Sequence, residues 1–505
     1  MPQVLFNNVP GNILVPFYYS EFNSGGTPYA GDARQLHIGQ KTSAGGATAG
    51  IVYGPVQSEL DAIAQFGKGS MLHTMFNIAK RNAPLQPFWA LPLADPAGAA
   101  SAGTIEFAAP AVTGAGILRV MGRRIVVQVN ATDTDEAVCA AVVAAINAAN
   151  LPIVAAVDGI DAAIANLTAR HVGALGDTIQ VTIATNEPNV FDAVNADITA
   201  LTGGSGVPSL TTPLANVGDE EFDWIAGPYA DTSSLNAIKD FLGDVSGRWS
   251  PSKMLFGHYI AANFGNLSAQ TTLGAGRNDP HASVLGSQTS PTPPWEWAAW
   301  LGALAVQHLS TAPELSRPLQ FLPAVGILPP ESRATWFDTD DRQSLYAAGI
   351  AGYRVARDGT VQIDRLVTTY KTNAQDVPDA TFRDIETMAQ GMFTSRYFRS
   401  AVSNAHGRQA LADENPQNVA AIVTPRDIRN TLIHAYEDLV ALGVTEKPEV
   451  FARSVVVERD PSNPNRVNAF IPADMVNQLR IFAANITAFL QYNTANGQAQ
   501  VPAAG

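Results

Sequence analysis

"FDWIAGPYADTSSLNAIKDFL", residues 222–242, decides how the middle of this chain is built. Residues 222–228 form a short apolar run that reads as a buried strand, and beyond it the period changes. Leu235, Ile238 and Phe241/Leu242 fall on one stripe, the spacing of a helix with one apolar face. The pattern continues downstream. "KMLFGHYI" (253–260) reads as a strand, "NLSAQTTLGAG" (266–276) as a helix, and "HASVLGS" (281–287) follows. Alternating β and α elements imply an α/β layer with right-handed crossovers. "PPWEWAAWLGALAVQHLS" (293–310) opens on prolines, which the first turn of a helix tolerates, and is apolar enough to be buried.

Upstream, "ADPAGAASAG" (94–103) and "LTGGSGVPSLTTP" (201–213) are rich in Gly, Ser, Pro and Ala and read as flexible junctions. Between them "TIEFAAPAV", "GRRIVVQVN", "PIVAAVDG", "AIANLTARH" and "DTIQVTIATN" alternate as strands. The helix "DTDEAVCAAVVAAINAAN" (133–150) interrupts them, with Thr132 and Asp135 placed like a capping box. A mostly-β module with one helix, held by two seams, reads as an insertion into a host domain.

The last third is mixed. "LYAAGIAGYRVARDGTVQIDRLVTTYKTN" (345–373) predicts a hairpin around Asp358-Gly359. "PDATFRDIETMAQGMFTSRYFRSAV" (378–402) is amphipathic, with Phe382, Ile385, Met388 and Met392 on one face and Asp379 as the expected N-cap. "TPRDIRNTLIHAYEDLVALGV" (424–444) has Thr424 as cap, Pro425 at the first helical position and Gly443 as its stop. "SVVVERD" and "NRVNAFI" read as strands. The fold class is therefore α/β and α+β, multidomain: an α/β middle domain, a mixed C-terminal domain and an inserted mostly-β domain.

Both ends alternate like strands. In "NQLRIFAANITAFLQYN" (477–493), Phe482, Ile486, Leu490 and Tyr492 share one parity; near the start, Ile13, Val15, Phe17 and Tyr19 do the same. A strand over 479–492 would run roughly 45 Å, far beyond the usual ~5–6 residues, and has no partner nearby in sequence.

Composition narrows the function. Charged residues are only 15% of the 505, which points to extensive packed surface between subunits, and the net charge of −14 argues against a nucleic-acid partner. No apolar stretch is long enough to insert in a membrane, and the N-terminus lacks the regions of a signal peptide. The single cysteine, Cys139, reads as a buried structural thiol.

Signals for catalysis, cofactor or metal are poor. "FGKGS" (66–70) lacks the upstream Gly spacing and the Ser/Thr after Lys68 that a phosphate loop needs, and reads as a turn before the helix "SMLHTMFNIAKR". The eight histidines are scattered; His73 and His308 are expected to pack or cap, and His434 to face solvent. "DTDD" (338–341) lacks the Gly and distal Glu of a calcium loop and is expected to cap the next helix. "DEEFD" (219–223) reads as a solvated run before a strand. An enzyme would use the carboxyl ends of strands 222–228 and 254–260, with Asp231 nearby, but no phosphate loop or triad accompanies them.

In the C-terminal third, "DGTVQIDRLVTTYKTN", "IVTPRDIR" and "FARSVVVERDPSNPNRVNAFIPADMVNQLRIFAANITAFLQY" resemble the tail sheath proteins of contractile bacteriophages, nearest to the Mu-like type. Supporting matches are "FNNVPGNILVPFYYSEF", "FGKGSMLHTMFNIAKRNAPLQPFWALPLADPAG", "FDWIAGPYAD" and "RPLQFLPAVGI". The most specific are Gly359, Arg365, Thr368-Thr369-Tyr370 and the Arg459/Arg466 region. Tyr18-Tyr19, with Pro16-Phe17, departs from the Pro-Gly-Val-Tyr run of many relatives. The resemblance implies a structural protein, not an enzyme, with no cofactor. It would form hexameric rings stacked helically around a tail tube protein, contacting baseplate and tail terminator proteins. The sleeve would shorten to drive the tube through the host envelope. It would act in the virion tail and be assembled in the bacterial cytoplasm. A non-contracting surface or capsid-like lattice is the alternative. The implied division is an N-terminal strand arm (1–22), a middle domain (23–103 with 213–375), an inserted outer domain (104–212), a tube-facing assembly domain (376–478) and a C-terminal arm and tail (479–505). The arms would add strands to neighbouring subunits through Ile13, Val15, Phe17, Tyr19, Phe482, Ile486, Leu490 and Tyr492.

Overall fold

The structure is a computed structural model and describes residues 33–486 and 488. Its first strand, β1 (Gln35–Gln40), is buried throughout and runs parallel to β3 (Phe88–Leu93). Between them lie the antiparallel edge strand β2 (Tyr53–Val56) and two helices, α1 (Glu59–Phe66) and α2 (Met71–Asn82). Ser70 caps α2 by accepting from the His73 N–H. The "FGKGS" run is the expected turn. Gly67 (φ +90°) and Gly69 (φ +70°) take left-handed conformations there, and a Cβ on Gly69 would fall 2.3 Å from the Leu151 carbonyl oxygen.

The inserted stretch comprises β4 (Ala100–Phe107), β5 (Gly114–Val120), β6 (Arg123–Val129), α3 (Asp135–Ala148), β7 (Ile153–Val157), β8 (Ile164–Val172), β9 (Val181–Ile183) and β10 (Ala196–Thr202). These form two antiparallel sheets, ordered β10-β4-β8-β7 and β6-β5-β9. One helix, α3, buries Val138, Cys139, Val142 and Ile146. Its cap is Thr134, which accepts from the Ala137 N–H, rather than the expected Thr132. Nor are the two seams soft. Ala99 and Ser205 exchange backbone hydrogen bonds, and β4 begins inside the first seam. The glycines serve close approach: a Cβ on Gly98 would lie 2.0 Å from the Ser205 carbonyl oxygen.

The host resumes with α4 (Thr211–Asn216), β11 (Trp224–Ala226), α5 (Thr232–Leu242), β12 (His258–Phe264), α6 (Leu267–Ala275), β13 (Ala282–Ser287) and α7 (Pro294–His308). Strands β13-β12-β11-β1-β3 are parallel neighbours, closed by β2 at one edge. Both faces are covered, so β1, β11 and β13 are buried throughout, polar Gln35, His37 and Gln40 included. Leu36, Ile225, Tyr259 and Val284 meet Leu235 and Ile238 of α5 on one face; Trp224, Ile260 and Leu285 meet Trp297 and Trp300 of α7 on the other. Asp231 caps α5 by accepting from the Ser234 N–H. Residues 253–256, expected in a strand, form a loop. Buried Arg248 takes the Phe256 carbonyl at 2.9 Å, and Met254 and Phe256 adopt positive φ.

Beyond α7 come α8 (Thr339–Ala347), capped by Asp338 with Asp341 in a reciprocal box, and the hairpin β14 (Gly352–Val355) and β15 (Val361–Arg365) with Gly359 at φ +88°. The long helix α9 (Ile385–His406) follows. It starts from Asp384, not Asp379; Asp379 instead accepts from the Tyr370 hydroxyl at 2.6 Å, which helps to hold its carboxyl down at about 2. Then come β16 (Ala410–Leu411), β17 (Ile422–Val423), α10 (Pro425–Ala441) with the expected Thr424 cap, α11 (Pro448–Ser454), β18 (Val456–Arg459) and β19 (Val467–Phe470). The expected strand from 479 onward is not formed across the described residues 479–486. Among the described residues no strand pairs with them, and Phe482 and Ile486 are 84% and 90% exposed. Ile13, Val15, Phe17, Tyr19, Leu490 and Tyr492 lie outside the described residues.

The inserted stretch is docked through polar contacts. The Met71 N–H donates to His171 Nε2 at 3.0 Å, and Arg123 donates to buried Glu296 at 2.7 Å. Burial pushes the Glu296 carboxyl above the usual carboxylate range, against the pull of Arg123. A raised folded-state pKa contributes stability below the unfolded value of about 4.3, which is lost as pH rises through the folded value. Glu296→Gln is expected to flatten that pH dependence, read from urea melts across the acid-to-neutral range.

Candidate assembly interface

Three features meet in the C-terminal third. The first is a helix pair, α9 and α10, whose buried residues Tyr397, Phe398, Leu432, Tyr436 and Leu439 form a core of their own with Phe451 of α11. Tyr436 and Phe451 stack at 3.8 Å. Arg429 of α10 donates to the Val455 and Ala452 carbonyls and so holds the start of β18 against the helix.

The second is an open apolar groove of about 610 Å³. Gly391, Thr394, Phe398 and Val402 of α9 and Ile428 and Leu432 of α10 line it. Val467, Ala469, Ile471, Ala473 and Met475 line it too, every second residue along one stretch of chain. Beside it, β18 and β19 make an isolated antiparallel pair from Val456/Phe470 to Arg459/Val467. Among the described residues each strand keeps one unpaired edge, and Phe470 stands exposed. Such an edge is a template for another strand.

The third is the departing chain end. Leu479, Ile481, Phe482 and Ile486 are all exposed, so an apolar segment leaves the body a few residues after the groove-lining stretch 467–475. Of the predicted arm residues, Phe482 and Ile486 are described, and both are exposed.

The region is fastened to the central sheet at two places. Arg396 of α9 is buried and pairs with Asp223, just ahead of β11, and with Glu221 at 3.1 Å. Its guanidinium also lies 5.3 Å from the Phe256 ring centre. Asp223 is thus not the solvated residue its acidic run suggests; burial pushes its carboxyl up and Arg396 opposes that. A strap, residues 366–370, makes the second joint. Thr369 hydrogen-bonds the Asp279 backbone in both directions, and Thr368 takes the Phe382 carbonyl at 2.6 Å. Arg365 grips Asp384 with two bonds of 2.8 Å. Arg459 contacts Asp413 at 3.0 Å. Sequence reasoning missed Arg396, Glu386 and Arg480; the only signal was a charge within an amphipathic helix for Arg396 and Glu386, and a charge within an apolar alternation for Arg480.

The histidines are occupied in packing. His37 and His258 are buried and held near 3, His73 is lowered by burial, and His434 is exposed beside Glu437. Burial pushes the Cys139 thiol up. Among the described residues no group of three or more His, Cys, Asp or Glu could hold a metal ion, and no helix is long and apolar enough to cross a membrane.

The sequence that builds this parallel sheet and helical region matches a known family. Residues 203–369 fit the phage tail sheath protein central domain. The chain is 31% identical over 497 residues to the Mu-like prophage FluMu tail sheath protein of Haemophilus influenzae, covering 96% of this chain and 100% of that one. The chain belongs to the phage tail sheath family and is a component of a phage tail. Its likeness is to the Mu-like type. Among solved structures, the sheath tail protein of Desulfitobacterium hafniense is similar at 11% identity and TM-score 0.49, over 92% of this chain and 97% of that one. The helical sheath of the anti-feeding prophage in its contracted state is similar at 12% identity and TM-score 0.46, over 95% and 99%.

Removing Arg396 orphans a buried carboxylate. Arg396→Met is expected to cost about 3–5 kcal/mol in a denaturant melt, and Asp223→Asn in the same chain to recover part of it.

Proposed function

We propose that this sheath subunit polymerises as hexameric rings, stacked helically around a tail tube protein, and contracts to drive the tube through the host cell envelope. The observation that carries the reading is a free β18–β19 edge beside an open apolar groove, on a chain whose exposed apolar end follows the groove-lining stretch 467–475. A segment from a neighbouring copy would add a strand to that edge and lay alternate side chains in the groove. Because each copy both offers a segment and carries a groove, the contact is heterologous and propagates. The arms, centred on Ile13–Tyr19 and Phe482–Tyr492, would keep neighbours tethered while their rigid bodies rotate past one another, so that contraction needs no disassembly.

In this reading residues 1–22 and 479–505 are the arms and 376–478 the tube-facing domain. Residues 23–103 with 213–375 are the middle, and 104–212 an outward module. Baseplate and tail terminator proteins would bound the sleeve, with assembly in the bacterial cytoplasm. The work is mechanical, so neither cofactor nor catalytic group is required.

Truncation after Leu479, or removal of residues 1–22, is expected to leave a folded chain that no longer builds tubes by sedimentation and electron microscopy. Ile486→Pro, which removes one ladder N–H, should shorten them. Ala469→Arg places a charge in the groove at an exposed position; it should change stability by no more than about 0.5 kcal/mol and still block assembly. Full-length tubes from both truncated chains would overturn the arm reading, and flat sheets from the parent chain would favour a non-contracting lattice. Replacing residues 104–212 by a short Gly/Ser link, with Glu296→Gln to avoid an orphaned charge, is expected to preserve tubes.

A further inference from the structure

The C-terminal segment does not simply trail away. From residue 474 to residue 480 it is fastened step by step to its own body. Lys447 donates to the Asp474 carboxylate at 2.8 Å, and the Val476 N–H donates to the Val444 carbonyl at 3.0 Å. Gln390 of α9 donates to the Val476 carbonyl at 2.9 Å, and Gln320 to the Leu479 carbonyl at 3.1 Å. The last of these attachments is ionic. Arg480 Nη2 reaches Glu386 Oε2 at 2.5 Å and Asp384 Oδ1 at 3.3 Å. One residue later the chain is free: Ile481 is 81% exposed.

The partners of Arg480 are unusual for a chain end. Glu386 is fully buried in the first turn of α9, and its second oxygen accepts the Leu319 N–H at 2.9 Å. A buried carboxylate with both oxygens committed holds a guanidinium in one direction. Asp384 is in turn gripped by Arg365 of β15. Arg480 therefore joins a run of alternating charges, Arg365–Asp384–Arg480–Glu386, that ends on the hairpin packed against the central sheet. The same helix, α9, reaches that sheet again through Arg396 and Asp223.

We propose that Arg480 is the clamp of the C-terminal arm: it fixes the point and direction at which the linking segment leaves the body and passes tension from that segment into the N-terminus of α9. The inference rests on the reading of residues 479–505 as an assembly arm. It assigns Arg480 a positioning role, acting through Glu386 and Asp384, rather than a place in the subunit contact itself.

The test uses the full-length chain carrying Arg480→Gln, and a second chain with Arg480→Gln and Glu386→Gln, which leaves no orphaned charge if the first fails to fold. Amide hydrogen exchange is followed in the dispersed protein, and tube persistence on dilution by electron microscopy. The expected result is exchange at Val476 at least tenfold faster than in the parent, with core helices of the central sheet unchanged, and tubes that form but break into short pieces. Arg480→Lys keeps the charge without the fork and should fall between. Unchanged exchange at Val476 in the double variant would overturn the clamp. Faster exchange, together with normal tubes from a chain truncated after Leu479, would retain the clamp and sink only the arm reading.

Discussion

The architecture turns on one buried ion pair. Arg396, midway along α9, meets Asp223 at the start of β11, with both side chains almost wholly out of water. A buried pair of this kind adds little net stability over an apolar contact of the same shape, because desolvating two charges offsets their attraction. What it adds is selectivity of geometry. A buried carboxylate left without its cation is costly, so the register of α9 that sets Arg396 against Asp223 is favoured over others. Everything C-terminal to α9 inherits its position from that choice.

The strap at 366–370 works on the same joint by different means. Its bonds are backbone and hydroxyl contacts to Asp279, Ala282, Phe382 and Arg383, neutral and short-ranged. Two independent attachments at separate points along one helix resist rotation as well as separation. Under the proposed function such a region would bear load from neighbouring molecules and would gain from that arrangement, since a single attachment would act as a pivot. The helix that lines the groove is thus held at two points, while the described residues 481–486 are exposed.

An unpaired edge beside an apolar groove is ordinarily an aggregation hazard. Here the hazard and the proposed function share one chemistry. The low charged fraction of the chain, 15% of residues, fits the proposed covering of exposed faces by copies of itself.

Local elements were legible in the sequence wherever a short-range rule decided them. The caps Asp338 and Thr424, the Gly359 hairpin, the buried tryptophan helix 294–308 and the turn at Gly67–Gly69 all follow from backbone preference and apolar period. Rules that act at short range also failed where two local candidates competed: Thr134 displaced Thr132 as a cap, and Asp384 took the place of Asp379. Only the tertiary structure decided which charged residues would be buried. Asp223 looks like the end of a solvated acidic run, Glu386 like a surface residue in the first turn of a helix, and Arg480 like an interruption in an apolar alternation. Each is paired with a residue far off in sequence, as with Asp223 and Arg396, or Arg480 and Glu386. The seams at 94–103 and 201–213 carry the same lesson, since Gly and Ser there permit close backbone pairing as readily as flexibility. By itself the sequence determined the α/β periodicity and the family likeness. Long-range partners determined where the C-terminal segment leaves the body, because a buried charge is stable only where the fold supplies its counter-ion.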